Sequence, residues 1–282
     1  MGKKKYKKKR KEKKEKELEK ELLRLQQIVN SFSRRKRKYR IEKASHGNTL
    51  VFAVIGDTHI GSLYERTDAL QEFYKLLASE KINVVLHCGD LTDGNKVYRG
   101  QEFEQYAIGF GQQKEAVLER FPKISGLETF IIGGNHDMSY FKRNGILAVQ
   151  EICKERDDLH YLDDEIATII LETKNGKKVR YLMMHPSGAT AYAVSYKSQK
   201  IVEAISGGQK PKAIFIGHFH KADYMPQWRN VHSFQVGCFE SQTPYMARKP
   251  TPAHIGGWII EHTIEGKLTD RLKAEFINFY EK

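Results

Sequence analysis

The sequence predicts an α/β sandwich. Three observations carry that expectation: short apolar runs alternate with helically spaced segments, further strand-like runs fill the second half, and run after run ends in Asp, His, Asn or Gly. A hydrophobic fraction of 40% with 14 Phe and 14 Tyr supplies a core, so wholesale disorder is excluded. The 282 residues allow one large domain or two small ones. With no internal repeat and no linker after residue 48, residues 49–282 read as one domain and 1–48 as an arm.

Each element has its own signal. Residues 50–55 (LVFAVI) form a buried-strand run. Within 68–79, Leu70, Phe73, Leu76 and Leu77 share one side of a helix. A strand is expected at 84–87, a helix within 103–121, a strand at 129–132 and a helix at 146–154. Residues 166–172 and 179–184 flank Lys174-Asn175-Gly176, a hairpin signal. A helix at 193–205 and strands at 213–216, 234–236, 258–262 and 274–279 complete the chain.

The charge is uneven. Residues 1–40 carry 19 Lys and Arg against 5 Glu, whereas 41–282 carry 29 basic and 30 acidic groups. Leu18, Leu22, Leu25, Val29 and Phe32 make an apolar seam on one helix face. A basic block, Arg34, Arg35, Lys36, Arg37, Lys38 and Arg40, follows it. The arm admits three readings: a solubilising tail with a docked helix, a tether for nucleic acid through phosphate neutralisation, or a short coiled-coil seam. The basic runs lack interleaved Trp or Phe, which argues against a membrane surface. No apolar run approaches the roughly 18 residues of a membrane span, and the Lys-rich start does not resemble a secretory signal. Cys88, Cys153 and Cys238 show no CxxC spacing, which fits a reducing compartment, so a cytoplasmic location is expected.

The polar punctuation is the informative feature. Gly56-Asp57-Thr58-His59, Gly89-Asp90, Gly134-Asn135-His136-Asp137, His185 and Gly217-His218-Phe219-His220 each follow a strand run. In open α/β sheets, ligand sites lie beyond the carboxyl ends of the strands. Any one cluster is ordinary: Gly-Asp is a common loop, and Asn135 suits a left-handed turn. Five in order are not. Asp, Asn and His without Cys form a nitrogen and oxygen donor set suited to borderline divalent metals.

This order of motifs resembles the calcineurin-like metallophosphoesterase superfamily over about residues 50–240. The resemblance implies an α/β/β/α four-layer sandwich of two mixed β-sheets, with a dinuclear metal site at the strand ends. It implies that Asp57, His59 and His220 hold one ion, that Asn135, His185 and His218 hold another, and that Asp90 bridges them. It implies two divalent ions, Mn²⁺ first, with Fe, Ni, Co or Zn as alternatives. His136 would protonate the leaving group or stabilise the transition state, with Asp137 fixing its orientation. His87, His160, His232, His254 and His262 match no motif position and read as structural.

One branch fits poorly. Phosphoprotein phosphatases carry Gly-Asp-x-x-Asp-Arg-Gly, whereas this chain has Gly89-Asp90-Leu91-Thr92-Asp93-Gly94-Asn95, and Asp rather than Glu follows Gly-Asn-His. The motif forms resemble the phosphodiesterase side, which includes DNA-repair exonucleases and cyclic-nucleotide phosphodiesterases. The basic arm favours nucleic acid as substrate and partner. Small-molecule or cyclic-nucleotide hydrolysis, and a metal-binding scaffold with a nucleic-acid tether, are the alternatives. Phe219, Tyr224, Trp228, Phe239 and Tyr245 lie near the motifs in sequence and are candidates for base stacking.

Overall fold

The computed structural model describes residues 38–41, 44–189, 191–249, 251–265 and 270–280. The apolar seam at 18–32 and the basic residues Arg34, Arg35, Lys36 and Arg37 lie outside them.

Two sheets build the molecule. The seven-stranded sheet contains β2 (Ser45–His46), β3 (Thr49–Ile55), β4 (Val84–His87), β5 (Glu128–Ile132), β6 (Leu159–Asp163), β12 (Gly256–Ile264) and β13 (Asp270–Asn278). Its order is β13-β12-β3-β4-β5-β6, with β2 paired to β3. Strands β3 to β6 run parallel, and β12 and β13 are antiparallel to their neighbours. The six-stranded sheet has the order β1-β7-β8-β9-β11-β10. These are β1 (Lys38–Ile41), β7 (Ile166–Glu172), β8 (Lys178–Met184), β9 (Ala213–Ile216), β10 (Ala222–Trp228) and β11 (Val231–Val236). Strands β8, β9 and β11 are parallel.

The period of two along each strand divides its side chains between two cores. On β3, Leu50, Phe52 and Val54 enter the core between the sheets, together with Tyr181, Phe215, Phe234, Trp258 and Ile260. Ala53 and Ile55 face a second core under the helices, with Phe73, Leu77, Val85, Val117, Ile131 and Ile152. The helices there are α1 (Thr67–Ser79), α2 (Phe110–Arg120) and α4 (Ala148–Cys153); α3 (Met138–Asn144) precedes α4. On the outer face of the six-stranded sheet, α5 (Ser195–Ala204) packs on β10 and β11. The result is four layers, helix, sheet, sheet and helix. Polar ties also cross the inter-sheet core. Trp258 Nε1 donates to the Gln235 carbonyl at 2.9 Å, and Tyr181 Oη lies 2.6 Å from His262 Nδ1. Truncating a side chain such as Phe52 to Ala would cost about 3–5 kcal/mol.

Two details differ from the expectation. Strands β1 and β2 join the sheets, so the body begins ahead of residue 49. Ile41 is buried in the inter-sheet core, and Arg40 pairs with Glu172. That arginine of the basic block is therefore engaged by the body. Strands β6 and β10 were not expected at all; β10 is an edge strand, where Pro226 removes no needed ladder bond.

Candidate metal centre

The parallel strands of both sheets deliver their carboxyl ends to one place. Strand β3 ends at Ile55 and leads to Asp57 and His59, β4 to Asp90, and β5 to Asn135 and His136. From the other sheet, β8 leads to His185 and β9 to His218 and His220. Asp57, His59 and His220 present donor atoms within 4.8 Å of one another, as do Asp90, His185 and His218.

The chain turns sharply to do this. Asp57 (φ 52°), His59 (45°), Asp90 (53°), His218 (81°) and His220 (53°) all occupy the left-handed region. Each such non-glycine residue costs on the order of 1–3 kcal/mol. Backbone bonds hold them there: Asp57 N–H donates to Gly89 O at 2.9 Å, and Thr58 N–H to Asp90 O at 2.9 Å. Two glycines permit the close approach. A Cβ on Gly134 would collide with Asp90 Oδ1, and one on Gly217 with the Cys88 carbonyl.

The distances describe a cage of donors. His59 Nε2 and His220 Nε2 are 3.1 Å apart, and His220 Nε2 is 3.5 Å from Asp57 Oδ1. His185 Nε2 lies 3.0 Å from Asp90 Oδ2 and 3.1 Å from Asn135 Oδ1. Asp90 Oδ2 is also 3.8 Å from His59 Nε2, which sets Asp90 between the two groups.

The outer contacts of the imidazoles fit cation ligation. Cys88 O, 2.8 Å away, accepts from His185 Nδ1, and Gly188 O, 2.7 Å away, accepts from His218 Nε2. Asp93 Oδ1 stands 3.1 Å from His59 Nδ1. In each ring one nitrogen is satisfied by an oxygen and the other is left for a ligand, the usual arrangement around a metal. His220 Nδ1 is buried without a hydrogen-bond partner and lies 3.7 Å from Glu240 Oε2.

The electrostatics also call for cations. Burial alone would raise the Asp90 pKa, but His185 and His136 hold it well below the usual carboxylate range. Burial opposes charge on His59, yet Glu240 and Asp93 outweigh it and lift its pKa to about 9. Asp90 does the same for His185, to about 9. His218 moves the other way, to about 4, through burial and then the like charge of His185. Buried carboxylates here thus hold protons on neighbouring rings, and divalent cations fit the same positions.

His136 lines the same cavity, about 430 Å³ in volume, as Asp90, Asn135 and His218. Its ring is 4.5 Å from that of His59, and its N–H donates to Asp90 Oδ1 at 2.8 Å. Among the contacts of the described residues, Asp137 makes none with the His136 ring, and its carboxylate is occupied elsewhere. Asp137 accepts from Leu91 N–H (3.1 Å), Thr92 N–H (2.9 Å), Thr92 Oγ1 (2.7 Å) and Gly134 N–H (2.9 Å), pinning two loops together. The group facing His136 Nδ1 is Asp93, through its carbonyl at 2.6 Å and its carboxylate at 3.6 Å. Asp93 is fixed in turn by Gln101 and Gln105, whose side-chain amides donate to Oδ2 at 3.1 and 2.6 Å.

Sequence reasoning missed Asp93 and Glu240. The spacing of three from Asp90 was a usable signal for Asp93; no motif marks Glu240. The five histidines read as structural join none of the donor groups among the described residues. His87 meets Thr58 Oγ1, His232 meets Tyr224 Oη and His254 accepts from Ala222 N–H, while His160 stacks on Phe130. Of the five aromatic candidates, Phe219 and Tyr245 line the cavity; Phe239 is buried in the helix-side core.

A model of the calcineurin-like phosphoesterase family matches residues 50–222. The chain belongs to that family. Solved structures from other organisms resemble it at low identity. Zinc-complexed Vps29 of Entamoeba histolytica is 15% identical, with 82% of this chain and 100% of that chain covered and a TM-score of 0.37. A phosphoesterase of Streptococcus pneumoniae, described as predicted, is 10% identical, with 80% and 98% covered and a TM-score of 0.38. In sequence, the chain is 35% identical over 236 residues to a protein named DNA polymerase II small subunit in Halobacterium salinarum, covering 68% of this chain and 44% of that one. It is 24% identical over 235 residues to the protein of that name in Methanothermobacter thermautotrophicus, covering 68% and 48%. The chain thus spans under half the length of these relatives. Among the described residues, no helix is long and apolar enough to cross a membrane.

Proposed function

We propose that this calcineurin-like phosphoesterase is a dinuclear-metal-dependent phosphodiesterase acting on nucleic acid. The observation that supports the chemistry is the convergence of seven donor side chains, five of which line one cavity together with His136. Asp57, His59 and His220 would hold one divalent ion, and Asn135, His185 and His218 a second, with Asp90 shared. Mn²⁺ is the first choice, and Fe, Ni, Co or Zn suit the same donors. When bound, such a pair supplies Lewis acidity toward phosphoryl oxygens and a water activated at neutral pH. His136 donates through Nδ1 to Asp93, which leaves Nε2 to give a proton to the departing oxygen. The Asp93 carboxylate beside it stabilises the charged ring. Asp137 acts on the site by locking the 89–95 and 133–137 loops in register.

Two observations support nucleic acid as the substrate. Residues 1–40 carry the chain's whole positive excess, including Arg34, Arg35, Lys36 and Arg37. The relatives that align over most of the body are named for a DNA polymerase. Their being named as subunits favours a second reading, in which the domain binds metal and joins a polymerase assembly without turnover.

Metal analysis with a substrate panel decides between them. The panel comprises single- and double-stranded DNA, RNA, cyclic nucleotides and phosphomonoesters, with Mn²⁺ present. Chelator-sensitive cleavage of oligonucleotides is expected. Hydrolysis confined to cyclic nucleotides or monoesters would overturn the substrate. A metal-loaded protein inert on every diester would favour the second reading.

A further inference from the structure

One side of the cavity is not used by the metal donors. Tyr98 and Tyr245 line it, from segments far apart in sequence, and both are half-buried. Their rings stack, with centroids 4.3 Å apart and planes inclined by 21°. The Tyr98 ring stands 6.4 Å from the His136 ring. Lys249 also lines the cavity; its Nζ lies 4.1 Å over the Tyr245 ring and donates to the Tyr245 hydroxyl.

This wall is pre-built. Tyr98 Oη donates to Glu104 Oε2 at 2.8 Å, and Glu104 is itself buried. Tyr245 sits in the short helix Pro244–Ala247, capped by Thr243 Oγ1 accepting from Met246 N–H at 3.2 Å. Both hydroxyls are therefore occupied, which leaves ring surface as what the tyrosines offer a ligand. Lys249 is exposed and, among the described residues, forms no ion pair with a carboxylate. An aromatic surface beside a cation that no carboxylate neutralises among the described residues is complementary to a nucleobase followed by a phosphate.

We propose that Tyr98, Tyr245 and Lys249 form a subsite for the nucleoside that leaves the scissile phosphate and for the next phosphate of the strand. The preferred substrate is then a single-stranded oligonucleotide rather than an isolated diester. The inference rests on the phosphodiesterase reading. It follows from position: His136 marks the leaving-group side, and Tyr98 is beside it.

The test compares kcat/KM for a thymidine trinucleotide with that for bis-p-nitrophenyl phosphate, using the full-length Mn²⁺-loaded protein. Salt at about 0.3 M suppresses non-specific binding by the basic arm. Lys249→Ala should lower the trinucleotide-to-small-substrate ratio about tenfold, through KM, as should Tyr98→Leu, while Tyr98→Phe should restore it. Wild-type metal content, measured by elemental analysis, checks that the variants are folded. Ratios within about twofold of wild type for both Lys249→Ala and Tyr98→Leu would overturn the subsite. A wild type that cleaves neither substrate refutes the catalytic reading instead. Fluorescence anisotropy with a labelled oligothymidylate and Mn²⁺ then decides the subsite: about tenfold weaker binding by the variants sustains it, and unchanged affinity removes it.

Discussion

Both carboxylate oxygens of Asp57 lie 2.9 Å from the backbone N–H of His218, which donates to them. Asp57 follows a strand of one sheet and His218 a strand of the other, so this contact latches the two sheets together at the rim of the site. The same side chain that would bind metal also satisfies a backbone donor. In chelator-treated protein, Asp57→Ala should therefore lower the unfolding free energy by about 1–3 kcal/mol, the cost of leaving a half-buried N–H without its acceptor. Asp57→Asn keeps an acceptor and should lose less. Urea denaturation of the two variants checks this; equal stabilities would show that the latch contributes nothing.

Asp90 stands between the two donor groups, 3.0 Å from His185 and 3.8 Å from His59. Asp90→Ala is expected to deplete both ions, whereas Asn135→Ala should deplete one. Elemental analysis after dialysis reads the stoichiometry directly. Retention of one ion by Asp90→Ala would contradict a shared ligand.

Asp93 touches the rings of both His59 and His136. Asp93→Asn should weaken metal binding about 10–100-fold, the usual effect of losing a carboxylate behind a ligating imidazole. His136→Ala should keep both ions and lose about 10²–10⁴-fold in kcat. Metal titration alongside kcat separates the two outcomes. Loss of metal by His136→Ala would assign that residue to the ligand set instead.

His87 lies fully buried beneath the site, and burial pushes its pKa down to about 4 from the ordinary 6.5. The unfolded chain takes up a proton through this window that the folded chain refuses. The contribution to stability is thus complete above pH 6.5 and is lost as pH falls toward 4. From about pH 7 to about pH 5 the loss is on the order of 2 kcal/mol. His87→Gln should flatten that part of the stability profile in chelated protein. Parallel profiles for wild type and variant would mean that His87 does not govern it.

The sequence disclosed the strands wherever apolar residues ran together. Ile166–Glu172 is found where expected, because Asn175 and Gly176 fix the hairpin, with Glu172 opposite Lys178. Leu159–Asp163 was missed because His160 and Tyr161 interrupt its two leucines, and Ala222–Trp228 because Pro226 reads as a breaker. Helix α2 begins only at Phe110: residues 104–109 ahead of it are not helical, and Gln101 and Gln105 are committed to Asp93. The candidate metal donors were legible because each falls just beyond a strand. The contacts of Asp137 were not, since adjacency in sequence hides that its carboxylate meets Thr92 and Gly134. Glu240 approaches His220 only through tertiary packing.

The left-handed backbone at Asp57, His59, Asp90, His218 and His220 sets the interests of the site against those of the fold. Glycine or asparagine at these positions would relax the turns, so a form of this protein relieved of holding cations could gain thermal resistance by surrendering them. Laboratory selection for heat tolerance alone should therefore erode this rim first, and selection that also demands hydrolysis should leave it intact and seek its gains elsewhere.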